Sequence, residues 1–134
     1  MMNGGPISWQ STLGKTQMLS TAESEISSAV EATKTAIHHR LMISELSGQL
    51  QQKIRLYEDN SAAISMAGQG IRYVRNAKHF EERLRFLQEL VEKNELEFIY
   101  LESARQLGDC MTKPLDVEKL KYFRNILMTE LTPP

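Results

Sequence analysis

The chain has 134 residues, of which 41% are hydrophobic and 25% are charged, a composition typical of a single globular domain. Its 16 basic and 17 acidic side chains give a net charge of −1. This near-balance argues against a histone-like polycation, although it permits a local basic patch. The only cysteine, Cys110, excludes an internal disulfide framework.

A long helix is the first secure element in chain order. Ser20 and Glu23 have the spacing of a capping box. From there an apolar stripe with a 3.6-residue period predicts a helix to about Ser47, and Gly48 is placed to end it. The residues before this helix, 7–19, look extended around a polar turn.

A strand, a helix and a basic connection are predicted next. Residues 53–58 alternate between apolar and polar and predict a strand. Residues 59–61 read Asp-Asn-Ser, a helix-cap sequence, and a short apolar helix is predicted over 62–67. Residues 71–78 are rich in basic side chains and predict a connecting segment.

The second half of the chain repeats the alternation of helix and strand. An apolar stripe predicts an amphipathic helix over residues 80–94, and residues 95–101 alternate as a strand. A short helix over 104–111 and a terminal helix over 117–127 complete the order. We therefore expect a single domain of mixed α/β class.

Three carboxylates lie where the predicted backbone turns. Glu25 is in the first turn of the long helix, Asp59 follows the first strand, and Asp109 is in the short helix after the second strand. Open α/β sheets place ligands at the carboxyl ends of strands, and Mg²⁺ prefers oxygen ligands. The pattern is weak by itself, because a chain with 17 acids offers many such triples. Helix caps and solvated side chains are the alternative interpretation.

Four short motifs change the balance between these interpretations. They occupy residues 19–25, 57–63, 77–80 and 106–115. Together they resemble successive motifs of the RNase H domain that closes the Pol polyprotein of copia-type LTR retrotransposons. The last motif, which ends in Thr-Lys-Pro-Leu, is the most specific, and the resemblance extends over nearly the whole chain.

The resemblance implies a chemistry for the three carboxylates. Glu25, Asp59 and Asp109 match the family's catalytic and metal-binding acids, with Mg²⁺ as the cofactor. The reaction implied is cleavage of the RNA strand of an RNA/DNA hybrid. Glu23 is then the capping partner of Ser20 rather than a ligand.

The family's fold also implies elements that this chain does not match. It opens with a strand that carries the first catalytic Asp, followed by a second, antiparallel strand, and no Asp precedes Asp59 here. The resemblance therefore implies that residues 1–134 form a truncated RNase H-like domain, with a mixed sheet and flanking helices, that lacks strand one and most of strand two. Such a sheet would be rearranged, or completed by a homodimer or another protein at its exposed strand edges. Little or no autonomous hydrolysis, with Mg²⁺ bound weakly, is expected.

A basic stretch is the candidate nucleic-acid-binding segment. Arg72, Arg75, Lys78 and His79 are predicted to contact a phosphate backbone, with a solvated loop as the alternative. Two functions stay open. One is a nuclease whose missing acid is supplied in trans; the other, which we favour, is a non-catalytic module that binds protein or nucleic acid.

The remaining features suggest where the protein acts and how it packs. No apolar run approaches the roughly 20 residues of a membrane span, so no membrane partner is expected. An intracellular location, in the cytoplasm or nucleus, follows from this and from the cysteine content. Trp9 is expected to anchor the core, and Cys110 is expected to be a buried or half-buried thiol.

Overall fold

The computed structural model describes residues 6–11, 21–49, 53–68, 78–111 and 113–128. The chain divides into two compact units. One comprises Thr16–Leu101, and the other comprises Met1–Lys15 with Glu102–Pro134. The expectation of one domain over residues 1–134 stays a prediction.

The unit Thr16–Leu101 follows the predicted order of helix, strand, helix, helix and strand. Its elements are α1 (Thr21–Ser47), β1 (Ile54–Glu58), α2 (Ser61–Gly68), α3 (Lys78–Glu92) and β2 (Leu96–Tyr100). The predicted helix end is confirmed, because Gly48 has a φ of 65° and its N–H donates to the carbonyl of Ser44 at 2.9 Å. The predicted cap of α2 is confirmed too, because Asn60 Oδ1 accepts from the N–H of Ala62 at 3.0 Å.

The two strands of this unit pair in parallel. Ile54 lies opposite Leu96, and Glu58 lies opposite Tyr100. Ile54 and Leu56 face the core, whereas the alternating residue Tyr57 is exposed on the other face. The mixed α/β class is confirmed. Within the described ranges the sheet is this parallel pair, so the larger mixed sheet stays a prediction.

The hydrophobic core lies between one face of the sheet and the three helices. Each helix contributes buried apolar side chains, and β2 contributes one. These residues are Ile26, Ala29, Val30, Ala63, Ala67, Phe80, Leu84, Leu87 and Leu96. The predicted apolar stripes of α1 and α3 are therefore the faces that build the core.

Two contacts define the relative direction of α1 and α3. Near the start of both helices, Arg83 Nη1 donates to Ser27 Oγ at 2.7 Å. Near the end of both, Arg40 Nη2 donates to Glu95 Oε2 at 2.5 Å, and Glu95 lies just beyond α3. The two helices therefore run side by side in the same direction and begin at the same end of the unit.

The helix α2 also begins at that end. It follows β1 directly through Asp59 and Asn60, and β2 starts where α3 finishes. Late in both helices, Gln88 Nε2 of α3 donates to the carbonyl of Met66 in α2 at 2.9 Å. All three helices therefore begin where the parallel strands end.

The other unit contains short helical segments. Two 3-10 segments, Ser103–Arg105 and Leu107–Met111, stand where one short helix over 104–111 was predicted. The terminal helix α4 spans Val117–Leu127, in agreement with the prediction. Asp116 Oδ1 caps it by accepting from the N–H of Lys119 at 2.8 Å.

The described part of the N-terminal segment, residues 6–11, differs from the prediction in its secondary structure and in the exposure of Trp9. Residues 6–11 form no strand, and Trp9 is 70% exposed. The prediction that Trp9 anchors the core is wrong, because no regular element holds its backbone against apolar neighbours. The rest of the predicted extended stretch, residues 12–19, lies outside the described residues.

Among the described residues, no helix is both long and apolar enough to cross a bilayer.

Candidate functional site

The candidate site is at one end of the unit Thr16–Leu101, where both parallel strands finish. We call this end of the sheet the carboxyl end, after the carboxyl ends of its strands. The three helices α1, α2 and α3 begin there. Helix N-termini carry unsatisfied N–H groups and partial positive charge, so they attract anions. Ligands of open α/β sheets commonly bind at the corresponding edge.

An acidic group lies at the carboxyl end and centres on Glu58, the last residue of β1. Glu58 is only 7% exposed, and this burial raises the pKa of its carboxyl group. A hydrogen bond from the N–H of Asn60 to Oε1, at 3.0 Å, acts in the opposite direction. The negative charges of Glu25 and Asp59 raise the pKa further. Glu25 and Asp59 are therefore both close enough to Glu58 to act on it.

The three predicted catalytic carboxylates divide between the two units. Glu25 and Asp59 belong to the acidic group at the carboxyl end. Asp109 belongs to the other unit, where its Oδ1 pairs with Lys113 Nζ at 2.9 Å. The assignment of all three as catalytic and metal-binding residues stays a prediction.

The donor set was compared with the needs of a two-metal centre. In such a centre the ions lie about 3.5–4 Å apart, and each needs several oxygen ligands. Among the residues placed by the structure, no three His, Cys, Asp or Glu side chains are arranged to hold a metal ion. Mg²⁺ binding by Glu25, Asp59 and Asp109 therefore stays a prediction of the resemblance.

The predicted basic residues are described in part. Arg72 and Arg75 lie outside the described residues. Lys78 is the first residue of α3, and His79 follows it with its Nδ1 at 3.8 Å from Glu82 Oε2. The side chain of His79 is almost fully exposed. Because α3 begins at the carboxyl end, Lys78 and His79 lie at the same end of the unit as the acidic group.

Two further residues at this end, Arg83 and Glu58, lie outside the predicted site residues. Arg83 bonds to Ser27 at 2.7 Å and carries a planar guanidinium with five N–H donors. No local sequence pattern predicts that Arg83 bonds to Ser27, because the two residues are 56 positions apart. Glu58 had a signal, because it continues the inward alternation of Ile54 and Leu56 and therefore falls on the apolar face of β1.

Comparison with curated proteins shows homology to retrotransposon polyproteins. The chain is 30% identical over 125 residues to the "Retrovirus-related Pol polyprotein from transposon TNT 1-94" of Nicotiana tabacum, covering 93% of the chain and 9% of that protein. It is 26% identical over 129 residues to the Pol polyprotein from transposon RE2 of Arabidopsis thaliana, covering 96% and 9%. It is 27% identical over 125 residues to the "Transposon Ty1-JR2 Gag-Pol polyprotein" of Saccharomyces cerevisiae, covering 93% and 7%.

The homologues of the chain are therefore Pol polyproteins of copia- and Ty1-type retrotransposons. The chain spans less than a tenth of their length, 9% of each of the first two named above. No protein-family profile matches the chain. No solved structure matches it either. The homology supports a retrotransposon-derived domain.

Proposed function

We propose that the chain is an RNase H-like segment of a retrotransposon Pol polyprotein that binds nucleic acid at its carboxyl end. The ligand we infer is an RNA/DNA hybrid, met in the cytoplasm or nucleus, and we expect little hydrolysis by this chain alone. One observation supports the proposal: α3, which the predicted basic residues Lys78 and His79 open, begins at the same end of the unit as α1 and α2. Both features favour phosphate groups.

The acidic group sets the position of the ligand at this end. Carboxylates at Glu25 and Asp59 repel a phosphate backbone, whereas the N-terminus of α3 attracts it. We therefore place the phosphate contacts on the α3 side of the carboxyl end. On this placement Arg83, bonded to Ser27, bridges the basic and acidic sides.

The binding proposal is tested with a fluorescently labelled RNA/DNA hybrid, whose anisotropy is measured during titration with the 134-residue chain at several salt concentrations. Affinity should fall steeply as salt rises, because bound cations on the hybrid are released. Lys78→Gln should weaken binding and lower the salt slope by about 1. Lys93→Gln, at the opposite end of α3, is the matched control and should change neither. The proposal fails if no saturable binding occurs or if both variants behave alike.

A second function, Mg²⁺-dependent ribonuclease H, is favoured by one observation: the structure brings Glu25 and Asp59 into the same acidic group. The same labelled hybrid, incubated with Mg²⁺ or Mn²⁺, distinguishes the two functions. We expect no cleavage above background. Cleavage that is lost in Asp59→Asn would establish the nuclease instead.

Protein partners form a third proposal. The sequence predicts a homodimer or another protein at exposed strand edges, and this prediction is not tested by the structure. Sedimentation of the chain alone measures it directly, since a chain that stays monomeric at high concentration would contradict the homodimer.

A further inference from the structure

The second half of α1 extends past the core that its first half builds. The buried residues of α1 are Ile26, Ala29, Val30 and Thr33, all in the first half. Beyond them, Leu41, Met42 and Leu46 are 57%, 45% and 85% exposed. Three large apolar side chains within two turns of one helix are more than scattered surface exposure.

Four exposed residues in this half lie along one face. His38, Leu41, Met42 and Glu45 have the spacing i, i+3, i+4 and i+7, which aligns them on a helix. We call these four residues the α1 seam. The bond from Arg40 to Glu95 fastens this half of α1 to the start of β2, so the seam is presented by an anchored helix.

The α1 seam is complementary to itself. If two copies pack antiparallel about a two-fold axis between Leu41 and Met42, each Leu41 lies opposite Met42 of the second copy. The same axis places each His38 opposite Glu45 of the second copy, where an imidazole N–H can donate to the carboxylate. Apolar contacts then occupy the centre, and two polar pairs close the ends.

We propose that the α1 seam docks a second copy of this chain as an antiparallel helix pair. The polar pattern favours this occupant, because the seam has a hydrogen-bond donor, the imidazole of His38, at one end and an acceptor, the carboxylate of Glu45, at the other. Two turns per copy cover less than the roughly 800 Å² per partner of a stable interface. The dimer is therefore weak and depends on concentration. Its surface is a helix face, distinct from the strand edges predicted from the sequence.

Sedimentation velocity of the full chain from about 10 μM to 1 mM tests the pairing. The wild-type chain should shift from monomer to dimer across this range. His38→Glu places two carboxylates together at each end of the seam and should raise the dimer dissociation constant about tenfold. The double variant His38→Glu/Glu45→Lys exchanges the two polar ends and should return it to within about threefold of wild type.

Two controls separate the seam from other causes. Glu89→Lys changes the same charge as Glu45→Lys on an exposed position of α3 and should leave dimerisation unchanged. Circular dichroism should show unchanged helix content in every variant, because the substituted side chains are exposed. A wild-type chain that stays monomeric to about 1 mM overturns the proposal. So does a dimer insensitive to His38→Glu, or a double variant that is not restored.

Discussion

The two halves of α1 have opposite surroundings within one uninterrupted helix. The first half packs its apolar stripe into the core and brings Glu25 to the carboxyl end. The second half exposes Leu41, Met42 and Leu46, and a hydrogen bond from Arg40 to Glu95 joins it to the rest of the unit. The difference shows that one continuous helix can build the core with one half and expose an apolar face with the other.

Truncating one apolar side chain in each half of α1 should reveal the largest difference between the halves, measured as the loss in the free energy of unfolding. Ile26 has no exposed surface, and Ile26→Ala should lower the free energy of unfolding by about 2–5 kcal/mol through lost burial and a cavity. Leu46→Ala, at an exposed position, should change it by about 0.5 kcal/mol or less. Urea denaturation of both variants measures this contrast. Equal losses would show that the second half of α1 is also packed.

A smaller effect of opposite sign is expected at Thr33, the last buried residue of the first half. Its hydroxyl is fully buried and has no hydrogen-bond partner among the residues described. Thr33→Val removes this unpaired group while keeping the shape and the β-branch, so the free energy of unfolding should rise by about 1 kcal/mol. A loss of stability in urea denaturation would mean that the hydroxyl is bonded after all.

The smallest effect concerns the acidic group and depends on pH. Burial, together with the charges of Glu25 and Asp59, raises the pKa of Glu58 above 4.5. In the window between 4.5 and the raised pKa the folded state holds more protons than the unfolded state, so stability falls as pH rises through it. Glu58→Gln keeps an oxygen acceptor for the N–H of Asn60 without the charge. It should therefore be more stable than wild type at neutral pH and converge with it near pH 4.

Urea denaturation at a series of pH values checks this prediction. Glu89→Gln, on the exposed surface of α3, is the matched control and should stay within about 0.5 kcal/mol of wild type. A Glu58→Gln variant that is less stable than wild type at neutral pH would show that the carboxylate is held by a favourable contact.

Patterns among residues close in sequence predicted α1, β1 and α2. The capping box and apolar period of α1, the alternation of β1 and the Asn60 cap of α2 all involve residues close in sequence. These elements were therefore placed near their observed bounds. The short helix over 104–111 was predicted less well, since the segment divides into two 3-10 pieces around Gln106.

Contacts between distant residues could not be predicted in the same way. The bonds from Arg83 to Ser27 and from Arg40 to Glu95 join residues more than fifty positions apart, and no local period encodes them. Trp9 shows the same limit, because its size suggested burial, whereas it is 70% exposed and the described residues around it, 6–11, form no regular element. Glu58 could have been found from its place in the inward alternation of β1.

The most direct test of the carboxyl end as a nucleic-acid site is a titration of the ¹⁵N-labelled chain with an RNA/DNA hybrid, followed by amide chemical shifts. We predict the largest shift changes at the start of α3, around His79, and small changes around Leu41–Leu46. Changes confined to the second half of α1, or none at saturating hybrid, would contradict it.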